Sequence, residues 1–80
     1  QTRSMYVRIY AMKEFLVVIE KSGKNYSAYA PDVPGCRATG KTPEEARENL
    51  REAIIFHLEG LTEDCLPLPE PHTTFDRIAV

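Results

Sequence analysis

The sequence predicts a small α+β protein in which one amphipathic helix covers one face of an antiparallel β-sheet. Three observations predict this fold: two strand patterns joined by a glycine-containing turn, a proline–glycine segment before a third short strand, and one strongly specified helix. A helix with a single apolar stripe must bury that stripe on another element, which gives a two-layer sandwich. The expected order is β-β-β-α-β, with three to four strands in the sheet.

The first two strands are predicted to form a hairpin. Residues 14–21 have a β-branched or bulky interior and make the clearest strand. A turn at residues 22–25 follows, where Gly23 and Asn25 are able to take positive φ. Residues 26–30 then return antiparallel to the first strand.

A proline–glycine turn separates this hairpin from the third strand. Pro34 and Gly35 fit the central positions of a type II turn. Asp32 is expected to hydrogen-bond the backbone of its own loop, which makes it structural first, although a recognition loop is the alternative interpretation. Residues 36–40 form a short strand that ends at Gly40.

The helix is the best specified element of the chain. Thr42 is the predicted N-cap, Pro43 occupies the first helical position, and Glu45 completes a capping box. Gly60 is the predicted C-terminal stop. The apolar face is expected to contain Ala46, Leu50, Ala53, Ile54, His57, Leu58 and Leu61. The acidic residues are attributed to the helix dipole and to a solvated face; they are Glu44, Glu45, Glu48, Glu52 and Glu59.

Alternating patterns also predict strands at both ends of the chain. Residues 5–10 are predicted to form an edge strand within an N-terminal extension, residues 1–11. Residues 12–80 are predicted to form one domain. Residues 73–80 read as the last strand of the sheet.

Composition limits the function classes. A net charge of −2 argues against a protein whose main task is to neutralise phosphates. No apolar run approaches a membrane span, and the chain shows no signal peptide, so a cytoplasmic location is expected. Cys36 and Cys65 are too few for a disulfide framework and are not spaced as a metal pair, whereas a single bridge between them stays open.

Catalysis is not expected, and neither is a metal or other cofactor. A metal-dependent nuclease using Asp32, Glu20 and Asp76 is the weakest alternative, because such enzymes need several converging carboxylates. A nucleophilic pair of Cys36 and His57 lacks a residue to orient it, so His57 is interpreted as a packed histidine at the core edge. His72 is expected to be solvated.

Two places are candidates for contact with another protein chain. A helical wheel directs Ile55 away from the apolar stripe and puts Phe56 on its flank, so these two residues are candidate partner-binding residues. The edge strand with Tyr6 and Tyr10 is the other candidate, because unpaired strand edges invite pairing.

Three segments together resemble the HicB family of antitoxins. They are residues 15–20, a hydrophobic strand; residues 26–36, which end in Asp-x-Pro-Gly-Cys; and residues 38–46, which contain a glycine and a capped acidic helix start. The likeness covers about residues 12–71, three quarters of the chain. It implies a partial RNase H-like fold and a role in a toxin–antitoxin pair.

The resemblance also implies a partner. It would be a HicA-like toxin, a small basic mRNA-cleaving protein with a catalytic histidine, whose active site the antitoxin covers. A homodimer or higher homo-oligomer is expected, and an orphan interaction module without a toxin is the alternative. Many family members carry a C-terminal DNA-binding segment; only nine residues follow Pro71, so direct promoter binding is not expected.

Overall fold

The computed structural model describes residues 13–80, and the strand expected at residues 5–10 lies outside that range. Three strands precede one helix: β1 (Val18–Ser22), β2 (Asn25–Tyr29), β3 (Arg37–Gly40) and α1 (Pro43–Glu63). The sheet is antiparallel in the order β1-β2-β3, and α1 lies on one face, mainly over β3 and β2. The predicted α+β class, one helix on an antiparallel sheet, is confirmed.

The β1–β2 hairpin closes through a two-residue loop. Ser22 pairs with Asn25, which leaves Gly23 and Lys24 as the loop residues. Gly23 has φ 63°, whereas neither Lys24 nor Asn25 takes a positive φ. Glycine at the first central position with a positive φ is the arrangement of a type II′ turn, whose twist matches that of the flanking strands. The turn was predicted, and of the two residues named as able to take positive φ only Gly23 does so.

The proline–glycine segment forms the predicted turn between β2 and β3. The Cys36 amide donates to the Val33 carbonyl at 3.3 Å across Pro34 and Gly35, and Gly35 has φ 88°. A type II turn needs positive φ at this position, which glycine adopts without a steric penalty.

The core lies between α1 and one sheet face. Cross-strand register puts Ile19, Ala28 and Ala38 side by side on that face. Leu50 and Leu58 are the largest helix side chains that are fully buried. The other buried apolar residues are Ala28, Ala30, Val33, Cys36, Ala46 and Ile54. Because α1 barely reaches over β1, Ile19 remains 37% exposed.

The helix begins as the sequence predicts. The Thr42 hydroxyl accepts from the Glu45 amide at 3.0 Å. The Glu45 carboxylate accepts from the amide of Lys41, one residue before the usual partner in a capping box. Asn49 donates from its side chain to the Thr39 carbonyl at 2.8 Å and so fastens the second helical turn to β3.

The predicted stop at Gly60 is wrong, because α1 continues to Glu63. The helix ends in a Schellman motif: the Leu66 amide donates to the Leu61 carbonyl at 2.9 Å and the Cys65 amide to the Thr62 carbonyl at 3.1 Å. Cys65 takes the left-handed position of this motif with φ 57°. A sequence search for glycine selected Gly60, but the residue that reverses the chain is a cysteine.

Replacing Cys65 with glycine is expected to raise the free energy of unfolding by about 0.5–1 kcal/mol, because only glycine adopts the left-handed region without a Cβ penalty. The variant Cys65→Ala, which keeps the Cβ, is the matched control and should leave stability near that of the parent. Urea unfolding followed by circular dichroism measures both. Equal stabilities of the glycine and alanine variants would contradict the expectation.

The final strand expected at residues 73–80 does not form, since residues 66–80 have no regular secondary structure. Alternation alone predicted it, but no neighbouring strand among residues 13–80 pairs with it. Leu68 packs on the core, and the Lys13 ammonium lies 2.9 Å from the Glu70 carboxylate. No helix among the described residues is long and apolar enough to cross a membrane.

Candidate protein-binding surface

The outer side of α1 carries a row of exposed residues four positions apart. Glu44, Glu48, Glu52 and Phe56 are all exposed, and Phe56 retains 76% of its accessible area. Residues four apart on a helix lie one above another, about 6 Å along its axis. We call these four residues the acidic row. Gly60 is next in the same row, and no atom lies within 4 Å of where its Cβ would stand.

Two basic side chains flank the acidic row. The guanidinium of Arg47 lies 3.5 Å from Glu48, and that of Arg51 lies 4.0 Å from the same carboxylate. All three side chains are more than half exposed. Such pairs are weak and screened by salt, and the three carboxylates with the two guanidinium groups sum to a net charge of −1.

The sequence placed Ile55 on the outer face, and the structure corrects this. Ile55 is half-buried and packs on the core, whereas its neighbour Phe56 is the exposed apolar residue. Glu59, predicted on the solvated face, is only 8% exposed. A helical wheel assumes one covered side, but the C-terminal half of α1 has a second buried stripe, Ile55, Glu59 and the half-buried Thr62.

Asp32 fastens the C-terminal segment to the loop between β2 and β3. Its side chain is 1% exposed and accepts four hydrogen bonds or ion-pair contacts. The amides of His72 and Thr73 donate to Oδ2 at 2.9 Å each, and the Thr73 hydroxyl donates to Oδ1 at 2.6 Å. Nε2 of His72 lies 3.0 Å from Oδ1. We call this arrangement the Asp32 clasp.

The clasp replaces one sequence interpretation. Asp32 was expected to bond its own loop, but it bonds a segment forty residues away. His72 is exposed, as expected, and its ring also contacts Asp32. The hydroxyl of Thr73, helped by the two amides and by His72, holds the pKa of Asp32 below its ordinary value, although burial opposes that shift. No short-range sequence signal marks a contact between such distant residues.

The described residues support neither a nucleophilic Cys36 nor a metal site. Cys36 and Cys65 are free; Cys36 is buried, and its sulfur makes only a long contact of 4.0 Å with the Ala53 carbonyl. Burial raises the pKa of the Cys36 thiol, which disfavours the nucleophilic thiolate. Among residues 13–80, no three or more His, Cys, Asp or Glu side chains could together hold a metal ion. The three carboxylates of the nuclease alternative, Asp32, Glu20 and Asp76, therefore do not come together.

Together these features define a class of protein: within residues 13–80 it is an α+β sandwich in which one helix covers an antiparallel sheet and keeps its outer face exposed. The chain belongs to the HicB-like antitoxins of bacterial toxin–antitoxin systems, whose family model matches residues 15–79. The resemblance noted in the sequence is thereby confirmed.

A solved structure supports the same assignment. The N-terminal domain of the Burkholderia pseudomallei antitoxin HicB superposes with a TM-score of 0.68 at 34% identity, covering 75% of this chain and 72% of that one.

Curated relatives have similar sequences but few assigned roles. A 14.9 kDa protein of Haemophilus phage HP1, described as uncharacterized, is 48% identical over 54 residues, 68% of this chain and 41% of the relative. A UPF0150 protein of Helicobacter pylori is 45% identical over 47 residues, 59% of this chain and 65% of the relative. One from Synechocystis is 37% identical over 57 residues, 70% and 72% of the two chains. The chain thus spans less than two thirds of the first two relatives.

Proposed function

We propose that this chain neutralises a HicA-type mRNA-cleaving toxin by binding over its active site. Membership of the HicB-like antitoxin family carries this proposal, since an antitoxin acts by engaging a toxin. The exposed Phe56 supports it, because large aromatic side chains are the common anchors of protein interfaces. The chain itself is proposed to perform no chemistry.

Phe56 is the partner-binding residue that we propose first. Ile55 remains a candidate only through the part of its side chain that reaches solvent. Tyr6 and Tyr10 lie outside the described residues, so an edge-strand dimer through them stays a prediction. A cytoplasmic location is proposed with the function, because the toxin's target is mRNA.

Co-expression tests the proposal. If a HicA-type toxin gene lies beside the gene for this chain, producing the two proteins together is expected to restore growth that the toxin alone arrests. The two proteins should also elute together in size-exclusion chromatography. Phe56→Ala is expected to weaken the complex, whereas Phe75→Ala, which removes another exposed phenylalanine, is the matched control.

The outcome separates the proposal from its alternative. An orphan interaction module of the same fold would have no toxin gene nearby and would form no complex with a HicA-type protein. Failure of the purified chain to bind the toxin would therefore reject the antitoxin role and leave the orphan module.

A further inference from the structure

We propose that two copies of this chain bind each other by exchanging residues 74–80, a segment that we call the arm. Ile78 of the partner subunit fills a pocket beside the loop between β2 and β3, and Asp76 of the partner subunit pairs with Arg37 at the edge of that pocket. The inference is independent of the proposed function, because it concerns contacts between two copies of the same chain.

The pocket lies against the proline–glycine loop and has a volume of about 280 Å³. Pockets that hold small-molecule ligands usually measure about 300–1,000 Å³, so this one is better matched to a single side chain. Its lining is mainly apolar and includes Tyr29, Pro31, Val33, Pro34 and Gly35. An aliphatic side chain that enters the pocket therefore removes apolar surface from water on both partners.

Arg37 adds a positive charge to the edge of the pocket. Arg37 is exposed, and its guanidinium lies 5.0 Å from the centre of the Tyr29 ring. None of the ion pairs among residues 13–80 includes Arg37. Stacking on an aromatic face holds a guanidinium in place and leaves its N–H groups able to bind a carboxylate. The pocket thus fits a segment that carries a carboxylate close to an aliphatic side chain.

The arm carries this combination. Asp76 and Ile78 are exposed, and Ile78 retains 84% of its accessible area, so its own chain does not cover it. In an extended segment these two side chains point to the same side, about 7 Å apart, whereas Arg77 points to the other side. Oδ1 of Asp76 accepts from the Arg77 amide at 2.7 Å, which leaves Oδ2 for a guanidinium.

The Asp32 clasp puts the arm and the pocket at the same loop. The side chain of Asp32 binds Thr73, the residue before the arm, while its neighbours Pro31 and Val33 line the pocket. When two copies meet with these loops facing each other, a two-fold axis brings each arm to the pocket of the other copy. Such an isologous interface contains every contact twice. Oligomerisation is also a common source of added stability for chains of this size.

Charge exchange between two variants tests the inference. Arg37→Glu and Asp76→Lys each place like charges together in both contacts of a homodimer, so each is expected to weaken dimerisation at least about tenfold. In an equimolar mixture of the two variants, opposite charges face each other in both contacts of the heterodimer, and dimers are expected to return. Size-exclusion chromatography with light scattering measures the mass at about 100 µM chain, since small interfaces give weak dimers.

Matched variants control for the charge change and for the loss of apolar surface. Lys24→Glu and Glu63→Lys make the same charge changes at exposed positions outside the pocket and the arm, and each should remain dimeric. Ile78→Ala is expected to weaken the dimer about tenfold. Phe75→Ala removes an exposed ring from the opposite side of the extended arm and should change the affinity less than about threefold. Circular dichroism should show the same fold for all these variants, because every replaced residue is exposed.

Three results would overturn the inference. One is a monomeric wild-type chain. Another is a dimer that persists in Arg37→Glu, Asp76→Lys and Ile78→Ala, which would leave the edge-strand dimer through Tyr6 and Tyr10. The third is rescue in the double variant Arg37→Glu/Asp76→Lys without rescue in the mixture, which would put the arm in the pocket of its own chain. None of these results decides the antitoxin role, which co-expression tests separately.

Discussion

Replacing Gly40 with alanine is expected to lower the free energy of unfolding by about 2–3 kcal/mol, enough to threaten a domain of this size. A Cβ on Gly40 would lie 2.8 Å from the carbonyl carbon of Glu45 and 2.9 Å from Cα of Ala46, and closer still to the Ala46 amide nitrogen. All three are backbone atoms of the first helical turn, which cannot rotate away. The helix must therefore shift from β3, which would disturb the packing beneath it.

The control for Gly40→Ala is the same substitution at Gly60, which lies within α1. Gly60→Ala introduces the same methyl group where no atom lies within 4 Å and where the backbone is helical. Alanine is a better helix former than glycine, so this variant should gain about 0.5–1 kcal/mol. Urea unfolding followed by circular dichroism measures both variants. Effects of the same sign would contradict the assignment of Gly40 to close packing and of Gly60 to the helix interior.

Replacing Asp32 with asparagine is expected to open the Asp32 clasp and release residues 72–80 from the domain, whereas Leu68 and Glu70 keep their own contacts. Asparagine keeps the shape of the side chain but replaces one carboxylate oxygen with an NH2 group. That NH2 group would face the hydrogen-bond donors of His72 and Thr73, so buried donors would be left without an acceptor. The amides of His72 and Thr73 should be protected from hydrogen exchange in the wild type and lose that protection in the variant. The exposed Asp76→Asn variant is the control and should keep both amides protected.

The same carboxylate predicts a pH dependence. Because folding holds the pKa of Asp32 below its ordinary 3.8, ionised Asp32 stabilises the fold fully above that value. The contribution is lost as pH falls through the lowered pKa of the folded state. Melting temperatures of wild type and Asp32→Asn should therefore differ at neutral pH and converge in strong acid. A constant difference down to pH of about 2 would show that the charge of Asp32 is not what closes the clasp.

The elements that local chemistry specifies were predictable. Thr42, Pro43 and Glu45 mark the helix start, since capping groups act within three or four residues. Gly23 and Gly35 mark their turns, because a positive φ admits few residue types.

Other features depend on contacts between distant parts of the chain. Ile55 was misplaced because a second covered side of α1 cannot be deduced from periodicity. The prediction of a strand at residues 73–80 was wrong, because an alternating pattern does not show whether a neighbouring strand is available for pairing.

The sequence by itself determined the α+β class, the order of β1, β2, β3 and α1, and the likeness to HicB antitoxins. Periodicity, turn chemistry and capping act over a few residues, and those are the distances that a sequence pattern records. Only the tertiary structure decided that Asp32 bonds His72 and Thr73. It also decided that Gly40 must lack a side chain for α1 to approach β3, and that Phe56 rather than Ile55 faces solvent. Each of these features depends on contacts between residues far apart in the sequence, and such contacts are determined by how the helix, the sheet and the C-terminal segment pack together.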